Sequence, residues 1–465
     1  MIMFSAEVYT QRRKKLMQRV ENGLIVFFGN KESSMNYSAN TYPFRQDSNF
    51  LYYFGHDVPD LAAVLDIQSG DEILYGDDLG VEDIIWMGYQ EKVNEKAARI
   101  GIRMVRSMDK LAGDICKAMA KNRKIHFLPP YREDRKAQLS YYLEVDYAKA
   151  KNPYSEELIK AIVAQRSVKD EAETLEIEST LTSVTRPMYL SAMKMAKPDL
   201  FEYEISGMIE GLALQQGYSM AYPTICSVNG EILHNHFHGN KMKNGNLLIV
   251  DAGAESRMHY ATDITRTIPV GGKFSARQKE IYNLVLKAET ECISRIHPLI
   301  PYKDIHMHAS SIIAEGLRDL GLMKGSVTDI VSVGAHALFF PHGIGHMMGL
   351  DVHDMEDLGE HFVGYGDEFT RSEQFGLASL RMARRLEPGF VVTVEPGIYF
   401  IPPLIEKWEA EKQFTEFINY TKVRSYLDFG GIRIEDDVLV TENGYRVLGD
   451  PIPKTLNEVE QVCTI

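Results

Sequence analysis

The sequence predicts two domains, an α/β domain over residues 1–154 and an α+β domain over residues 155–465. Three observations carry this. Helical stretches alternate with short apolar runs of strand length in the first third, and a polar segment, KAKNPYS, breaks the pattern at 149–155. Beyond it, four helical stripes are interleaved with strand-like segments whose apolar runs end in acids. A chain of 465 residues has room for two sizeable cores.

In the first domain, residues 6–20 form a basic stretch compatible with a helix. LIVFF at 24–28 and the apolar runs at 62–67 and 73–75 have the length of strands and predict a mixed sheet. Two aromatic clusters, YPFRQDSNFLYYFG at 42–55 and IIWMG at 84–88, are expected in the core on composition. The second holds Trp86, one of two tryptophans in the chain.

After the polar break, Ser167 and Asp170 stand at capping-box spacing. Ile177, Leu181, Val184, Met188, Ala192 and Met195 then follow a helical stripe. Pro187 lies inside it and must kink the helix or begin a new one, because it lacks an N–H and crowds the preceding turn. A second helix follows Asp199, with Ile205, Met208, Ile209 and Leu212 on one face and Gly217 at its end. Ser275 and Gln278 cap a third, and a fourth covers 303–320. Strand character falls at 232–238 (ILHNHFH), 247–251 (LLIVD), 263–270 (DITRTIPV), 391–395 (VVTVE) and 431–440 (GIRIEDDVLV).

Composition narrows the function. With 45% hydrophobic and 25% charged residues the chain reads as an ordinary globular protein. Its net charge of -14 argues against nucleic acid or an anionic membrane as the main partner, since phosphate binding rests on clustered Lys and Arg. Cys116, Cys226, Cys292 and Cys463 are far apart and read as reduced thiols. The start, MIMFSAEVYTQRRKK, has no apolar signal core, and no run approaches the ~20 apolar residues that span a bilayer. A cytoplasmic enzyme or binding protein is the expectation.

Chemistry concentrates at 339–354, FFPHGIGHMMGLDVHD, where His342, His346 and His353 stand among glycines and apolar residues. Gly343, Gly345 and Gly349 allow close backbone approach, but their spacing is one residue too long for a dinucleotide loop. Elsewhere, acids end or interrupt apolar β-branched runs at Asp251, Glu395 and Glu435, and Asp263 opens another. A buried carboxylate is costly unless it is paired or bound to a cation. Taken singly, Glu435 reads equally as a surface acid and Asp263 as a turn before a strand. Taken together with His346, the four carboxylates would need about two divalent cations in one site. That donor set suits Mn(II), with Fe(II), Co(II) or Zn(II) open.

VDAGAE with DITRT, HGIGH with VHD, TVEPGIY and GGIRIEDD, in this order, resemble the motifs of the pita-bread metallopeptidases, and YPFRQDSNFLYYFG and IWMG resemble the N-terminal domain of their Xaa-Pro branch. The resemblance covers nearly the whole chain and implies a pita-bread (creatinase/aminopeptidase) fold for 155–465 and an aminopeptidase-P-like domain for 1–154. It implies that Asp251 chelates one metal, that Asp263 and Glu435 bridge two, and that His346 and Glu395 complete the second site. Glu395 is similar to the general base, His234 and His353 to histidines that orient substrate and stabilise the oxyanion, and His342 and Arg433 to residues supporting the ligands. A homodimer is also implied, in which Trp86 closes over the neighbour's site.

The segment GLASLRMARRLEPGFVVTVEPGIYF looks more like prolidases, and Arg381 within it matches an arginine that clamps the free carboxylate of a dipeptide. The expected activity is therefore Xaa-Pro dipeptidase, acting on proline-containing dipeptides or short peptides, with aminopeptidase P as the alternative. A non-catalytic peptide-binding module and a metal-free amidinohydrolase of the creatinase kind are weaker readings, because both should lack this acid set. Residues 355–375 match neither subgroup, and His236 and His238 have no counterpart; alternation along a strand would put them on one face with His234.

Overall fold

A computed structural model describes residues 3–143 and 154–464. Packing divides the chain into two compact units, Met1–Arg166 with Asp357–Phe362, and Ser167–Glu356 with Val363–Ile465. The polar segment at 149–155 lies outside the described residues except for Tyr154 and Ser155, and helix Glu156–Arg166 groups with the first unit.

In the first unit, strands Leu24–Phe28, Ala62–Asp66 and Glu72–Tyr75 pair antiparallel in sequence. Ile125–His126 and Met104–Arg106 add parallel edges, giving the mixed five-stranded sheet that the apolar runs predict. Val26, Phe28, Val64, Tyr75 and Ile115 are among its buried core. Helix Ser48–Phe54 buries every residue it contains, so the cluster at 42–55 is core as expected from Ser48 onward, although Tyr42 is exposed.

The core expectation for IIWMG is overturned. Helix Val81–Met87 buries no residue, and Trp86 is 87% exposed. Composition counts apolar side chains but not whether a layer faces them; this helix has two turns, and of its residues only Ile84 is even half-buried within the described chain.

In the second unit, helix Glu171–Thr180 begins at Asp170, not Ser167. The Asp170 carboxylate accepts from the Glu173 N–H at 2.9 Å and Glu173 returns the bond at 3.1 Å, a capping box three residues later than the sequence spacing suggests. Pro187 is absorbed by a π-turn at Leu181–Thr185, after which helix Arg186–Met195 resumes. A widened turn leaves the missing N–H without a ladder partner to lose. Helices Glu202–Gln215, Ala276–Ser294 and Tyr302–Asp319 follow as expected, the second capped by Ser275 with Gln278. Helices Ala276–Ser294 and Tyr302–Asp319 pack closely because Gly316 has no Cβ; one placed there would lie 2.4 Å from the Leu284 side chain.

Strand Leu247–Ala252 is central to a sheet with Ile225–Ser227 and Ile264–Pro269, and Val391–Val394 pairs with Asp436–Thr441 in another. The segment 431–440 is two strands, Gly431–Arg433 and Asp436–Thr441, broken at Glu435. A single bridge between Thr265 and Glu435 ties these elements together. The expected strand at 232–238 does not form. The Asn235 side chain accepts from the Phe237 N–H at 3.0 Å and donates to Ser227 Oγ at 2.9 Å, and such local bonding competes with a strand ladder.

Candidate metal centre

Asp251 and Asp263 reach one place because they lie on paired strands. Leu247–Ala252 runs antiparallel to Ile264–Pro269 with Asp251 opposite Thr265, and Asp263 immediately precedes the second strand. Thr265 also pairs with Glu435, whose N–H donates to the Thr265 carbonyl at 3.1 Å. The Thr265 hydroxyl donates to Glu435 Oε2 at 2.6 Å and accepts from Arg433 Nε at 3.1 Å. At the break in 431–440 the Glu435 backbone thus bridges Thr265 while its carboxylate accepts from the Thr265 hydroxyl.

His346 comes from the irregular glycine-rich stretch. A Cβ at Gly345 would lie 2.1 Å from the Thr393 carbonyl oxygen and 2.6 Å from the Tyr302 hydroxyl, so only glycine lets this backbone lie against strand Val391–Val394. The His346 N–H then donates to Thr393 Oγ1 at 3.2 Å, and the Thr393 N–H donates to the His346 carbonyl at 3.0 Å. This pairing presents the imidazole beside Glu395, which ends the same strand. His346 Nε2 lies 3.3 Å from Asp263 Oδ2 and 3.9 Å from Glu395 Oε1.

Single ligand atoms of Asp263, His346 and Glu435 all lie within 4.8 Å of one another. Asp251 joins them through Tyr222, whose hydroxyl lies 2.6 Å from Asp251 Oδ1 and 2.5 Å from Asp263 Oδ1. Arg433 pairs with Asp251 Oδ2 and donates to the Tyr399 hydroxyl at 2.9 Å.

The electrostatics of this cluster call for a cation. Burial and then Asp263, Glu395 and Asp251 push the Glu435 carboxyl well above its usual range. Burial raises Glu395 to about 7 against the pull of His346 and Arg433. That rise from an ordinary glutamate corresponds to about 3 kcal/mol against ionisation. Burial and Asp263 raise Asp251 against Arg433. A divalent ion attracts each carboxylate at twice the roughly 4 kcal/mol of a contacting unit-charge pair near an effective dielectric of about 20, and so outweighs that penalty. Four oxygen-donor acids with one imidazole fit such an ion in type as well as charge.

The remaining sequence-selected residues distribute around a cavity of about 420 Å³ lined by His234, His342, His353, Arg381 and Arg433 as well as the cluster. His353 stacks on His346 with ring centroids 3.8 Å apart and planes 13° apart. His342 sits between the Tyr399 hydroxyl, 2.9 Å from Nε2, and the Gly343 carbonyl, 2.8 Å from Nδ1, and burial brings it down to about 3. Both His236 and His234 line the cavity from an irregular segment, whereas His238 bonds to Ser206 Oγ and the Thr224 carbonyl. Trp86 belongs to the first unit, where it is exposed.

Four participants escaped the sequence reading. The Tyr222 hydroxyl joins Asp251 to Asp263, the Thr265 hydroxyl joins Glu435 to Arg433, and Asp437 Oδ2 accepts the Asp263 N–H at 3.0 Å. Glu356 contacts both His353 and Arg381. Only Asp437 left a signal, as the last acid of IEDD.

The chain matches metallopeptidase family M24 over residues 182–442 and the aminopeptidase P N-terminal domain over 9–126. It is 30% identical to the probable Xaa-Pro aminopeptidase pepP of Aspergillus fumigatus, covering 99% of this chain and 97% of that one. It is also 30% identical to the Xaa-Pro dipeptidase of Homo sapiens, covering 97% and 92%. Aminopeptidase PepP of Pseudomonas aeruginosa has the same fold with a TM-score of 0.81 at 28% identity, covering 100% of this chain and 99% of that one. Escherichia coli aminopeptidase P, solved as a variant in complex with substrate, gives 0.81 at 27% with the same coverage.

Proposed function

The chain belongs to metallopeptidase family M24, joined to an aminopeptidase P N-terminal domain, and we propose that it hydrolyses the imide bond between a first residue and proline, with the Xaa-Pro dipeptide as its preferred substrate. The observation that carries the reading is that Asp251, Asp263, His346, Glu395 and Glu435 all line one cavity large enough for a short peptide, with ligand atoms of Asp263, His346 and Glu435 within 4.8 Å of one another. In this reading those five residues hold two divalent ions, with Mn(II) as the expected metal. Divalent ions bound there supply water of lowered pKa and polarise the scissile carbonyl.

The chain's own groups do the rest. The Glu395 carboxylate takes a proton from the attacking water and delivers it to the proline nitrogen as the C–N bond breaks. His234 and His353 donate toward the carbonyl oxygen as it gains charge. Arg433 and His342, linked through the Tyr399 hydroxyl, keep the acids and the cavity wall in place. Arg381 on the cavity wall meets a carboxylate that follows proline directly. Because proline's imide has no N–H, recognition rests on these side chains and not on a backbone donor of the substrate.

A second reading, aminopeptidase P activity on longer Xaa-Pro peptides, is favoured by the relatives and solved structures named as aminopeptidases that match the chain along its length. The deciding measurement is hydrolysis by the Mn(II)-loaded protein of a Xaa-Pro dipeptide beside the tripeptide one residue longer. Higher kcat/KM on the dipeptide is the expected result, preference for the tripeptide selects aminopeptidase P, and turnover of neither overturns both.

We also propose a cytoplasmic homodimer. Among the described residues no helix is long and apolar enough to cross a membrane, and all four cysteines are unbonded. The exposed apolar residues Val81, Ile85, Trp86 and Met87 on one short helix are the surface expected to be covered. Light scattering should give twice the 52.8 kDa chain mass, and a monomer mass would sink the dimer.

A further inference from the structure

His236 has no counterpart in the motifs that mark the family, yet it lines the same cavity as His234, His353 and Arg381. Its backbone is held on both sides. The Asn235 side chain donates to Ser227 Oγ at 2.9 Å and accepts from the Phe237 N–H at 3.0 Å. His238 Nδ1 lies 3.1 Å from Ser206 Oγ, and its Nε2 donates to the Thr224 carbonyl at 3.0 Å. Among the described residues, none hydrogen-bonds or ion-pairs with the His236 ring. A fixed backbone thus brings an uncommitted imidazole to the cavity. We propose that His236 is a specificity-determining residue, which donates to the free carboxylate of a Xaa-Pro dipeptide alongside Arg381. The proposal rests on the peptidase reading and deepens it.

Reach and charge both favour that acceptor. In the peptidase reading His234 meets the scissile carbonyl oxygen, and two residues of chain separate the Cα atoms of His234 and His236 by at most about 7 Å. The carboxylate of proline follows the scissile carbon through only the ring nitrogen and Cα, so it lies within range of a donor that close to His234. Burial lowers the His234 imidazole most and Arg433 next, against Asp251, with Arg381 and His236 as further positive neighbours. One imidazole senses both groups, so Arg381 and His236 border the same part of the cavity. Glu356 Oε2 lies 2.7 Å from Arg381 Nη1, so the charge of Arg381 is partly matched before substrate arrives. A second donor lets the cavity still favour an acid terminus over an amide. Imidazole suits this task, because it donates one N–H when neutral and two when charged. A hydrogen bond to a carboxylate is roughly twice as strong as one to a neutral oxygen. The side chain of the first residue varies and often has no acceptor, whereas every Xaa-Pro dipeptide presents this carboxylate.

The test compares a Xaa-Pro dipeptide with its C-terminal amide as substrates of the metal-loaded full chain. The unaltered protein should favour the acid in kcat/KM by about tenfold or more. In His236→Leu that ratio should fall about tenfold, through a higher KM for the acid, while kcat/KM for the amide stays within about twofold. His236→Gln, which keeps a neutral N–H donor, should retain more of the ratio than His236→Leu. Turnover of the amide controls for folding and metal loading in each variant. An unchanged ratio in His236→Leu, an equal loss on both substrates, or a His236→Gln ratio no higher than that of His236→Leu sinks the proposal. So does a loss that depends on the first residue's side chain across a series of dipeptides while the acid-to-amide ratio is kept. Turnover of neither substrate by the unaltered protein overturns the peptidase reading, and an unaltered protein without preference for the acid overturns the dipeptide preference; in both cases the proposal falls with them. Failure in the variants alone, with the parent active and acid-preferring, overturns only the role of His236.

Discussion

Glu435→Ala should lose bound divalent metal and peptide hydrolysis together, and Asp263→Ala should do the same. Each removes an acid from the cluster in which Asp263, His346 and Glu435 lie within 4.8 Å of one another. Losing a residue that merely supports a ligand costs about 10–100-fold in metal affinity, so losing a ligand should cost more than the upper figure. Metal content after dialysis, by elemental analysis, reads the first effect independently of activity. The fold should survive, because removing a carboxylate from a mutually repelling set lessens the opposition that burial and the neighbouring acids offer to ionising those that remain, an opposition that holds the Glu435 carboxyl well above its usual range. Full metal content with full turnover in either variant would reject the assignment of both residues.

The largest stability effect should come from Arg266→Met, away from the cavity. Arg266 is 1% exposed and every arm of its guanidinium is engaged. Nη1 donates to the carbonyls of Thr265 at 2.9 Å and Glu435 at 2.7 Å, Nη2 to Asp436 Oδ1 at 2.6 Å and the Ile452 carbonyl at 3.1 Å, and Nε to the Pro453 carbonyl at 3.0 Å. Methionine fills much of the volume but takes the guanidinium from Asp436, which keeps Lys454 at 2.6 Å, and from the carbonyls of Thr265, Glu435, Ile452 and Pro453. Breaking a buried ion pair on one side costs about 3–5 kcal/mol, which should appear as a lower urea midpoint. Because two of the lost bonds brace the Thr265–Glu435 bridge, metal affinity should fall as well, by about 10–100-fold. An unchanged midpoint would mean that the network carries no net stability.

The helices and strands that the sequence made legible are those in which one side chain period repeats for long enough. Ala276–Ser294 and Tyr302–Asp319 bury a continuous stripe, and Leu24–Phe28 is apolar throughout, so local pattern and burial agree. ILHNHFH failed because its alternation is shared by a loop in which the Asn235 side chain accepts from the Phe237 N–H. IIWMG failed because an apolar segment on a two-turn helix carries no information about what faces it. Ser167 failed as a cap because Asp170 and Glu173 offered a stronger reciprocal pair three residues on.

By itself the sequence determined which residues could form the site. An acid inside an apolar β-branched run is expensive wherever it lies, and four of them with an imidazole already imply a cation. Their family membership followed from the order of the motifs. Only the tertiary structure decided what those residues do to one another. Asp251 and Glu435 meet through Thr265, a residue with no chemical signature of its own, because antiparallel register and a broken strand bring them to its two sides. Tyr222 and Glu356 were invisible for the same reason: a hydroxyl between two carboxylates or a carboxylate between an imidazole and a guanidinium is defined by partners distant along the chain, and pair distances exist only once the chain has folded.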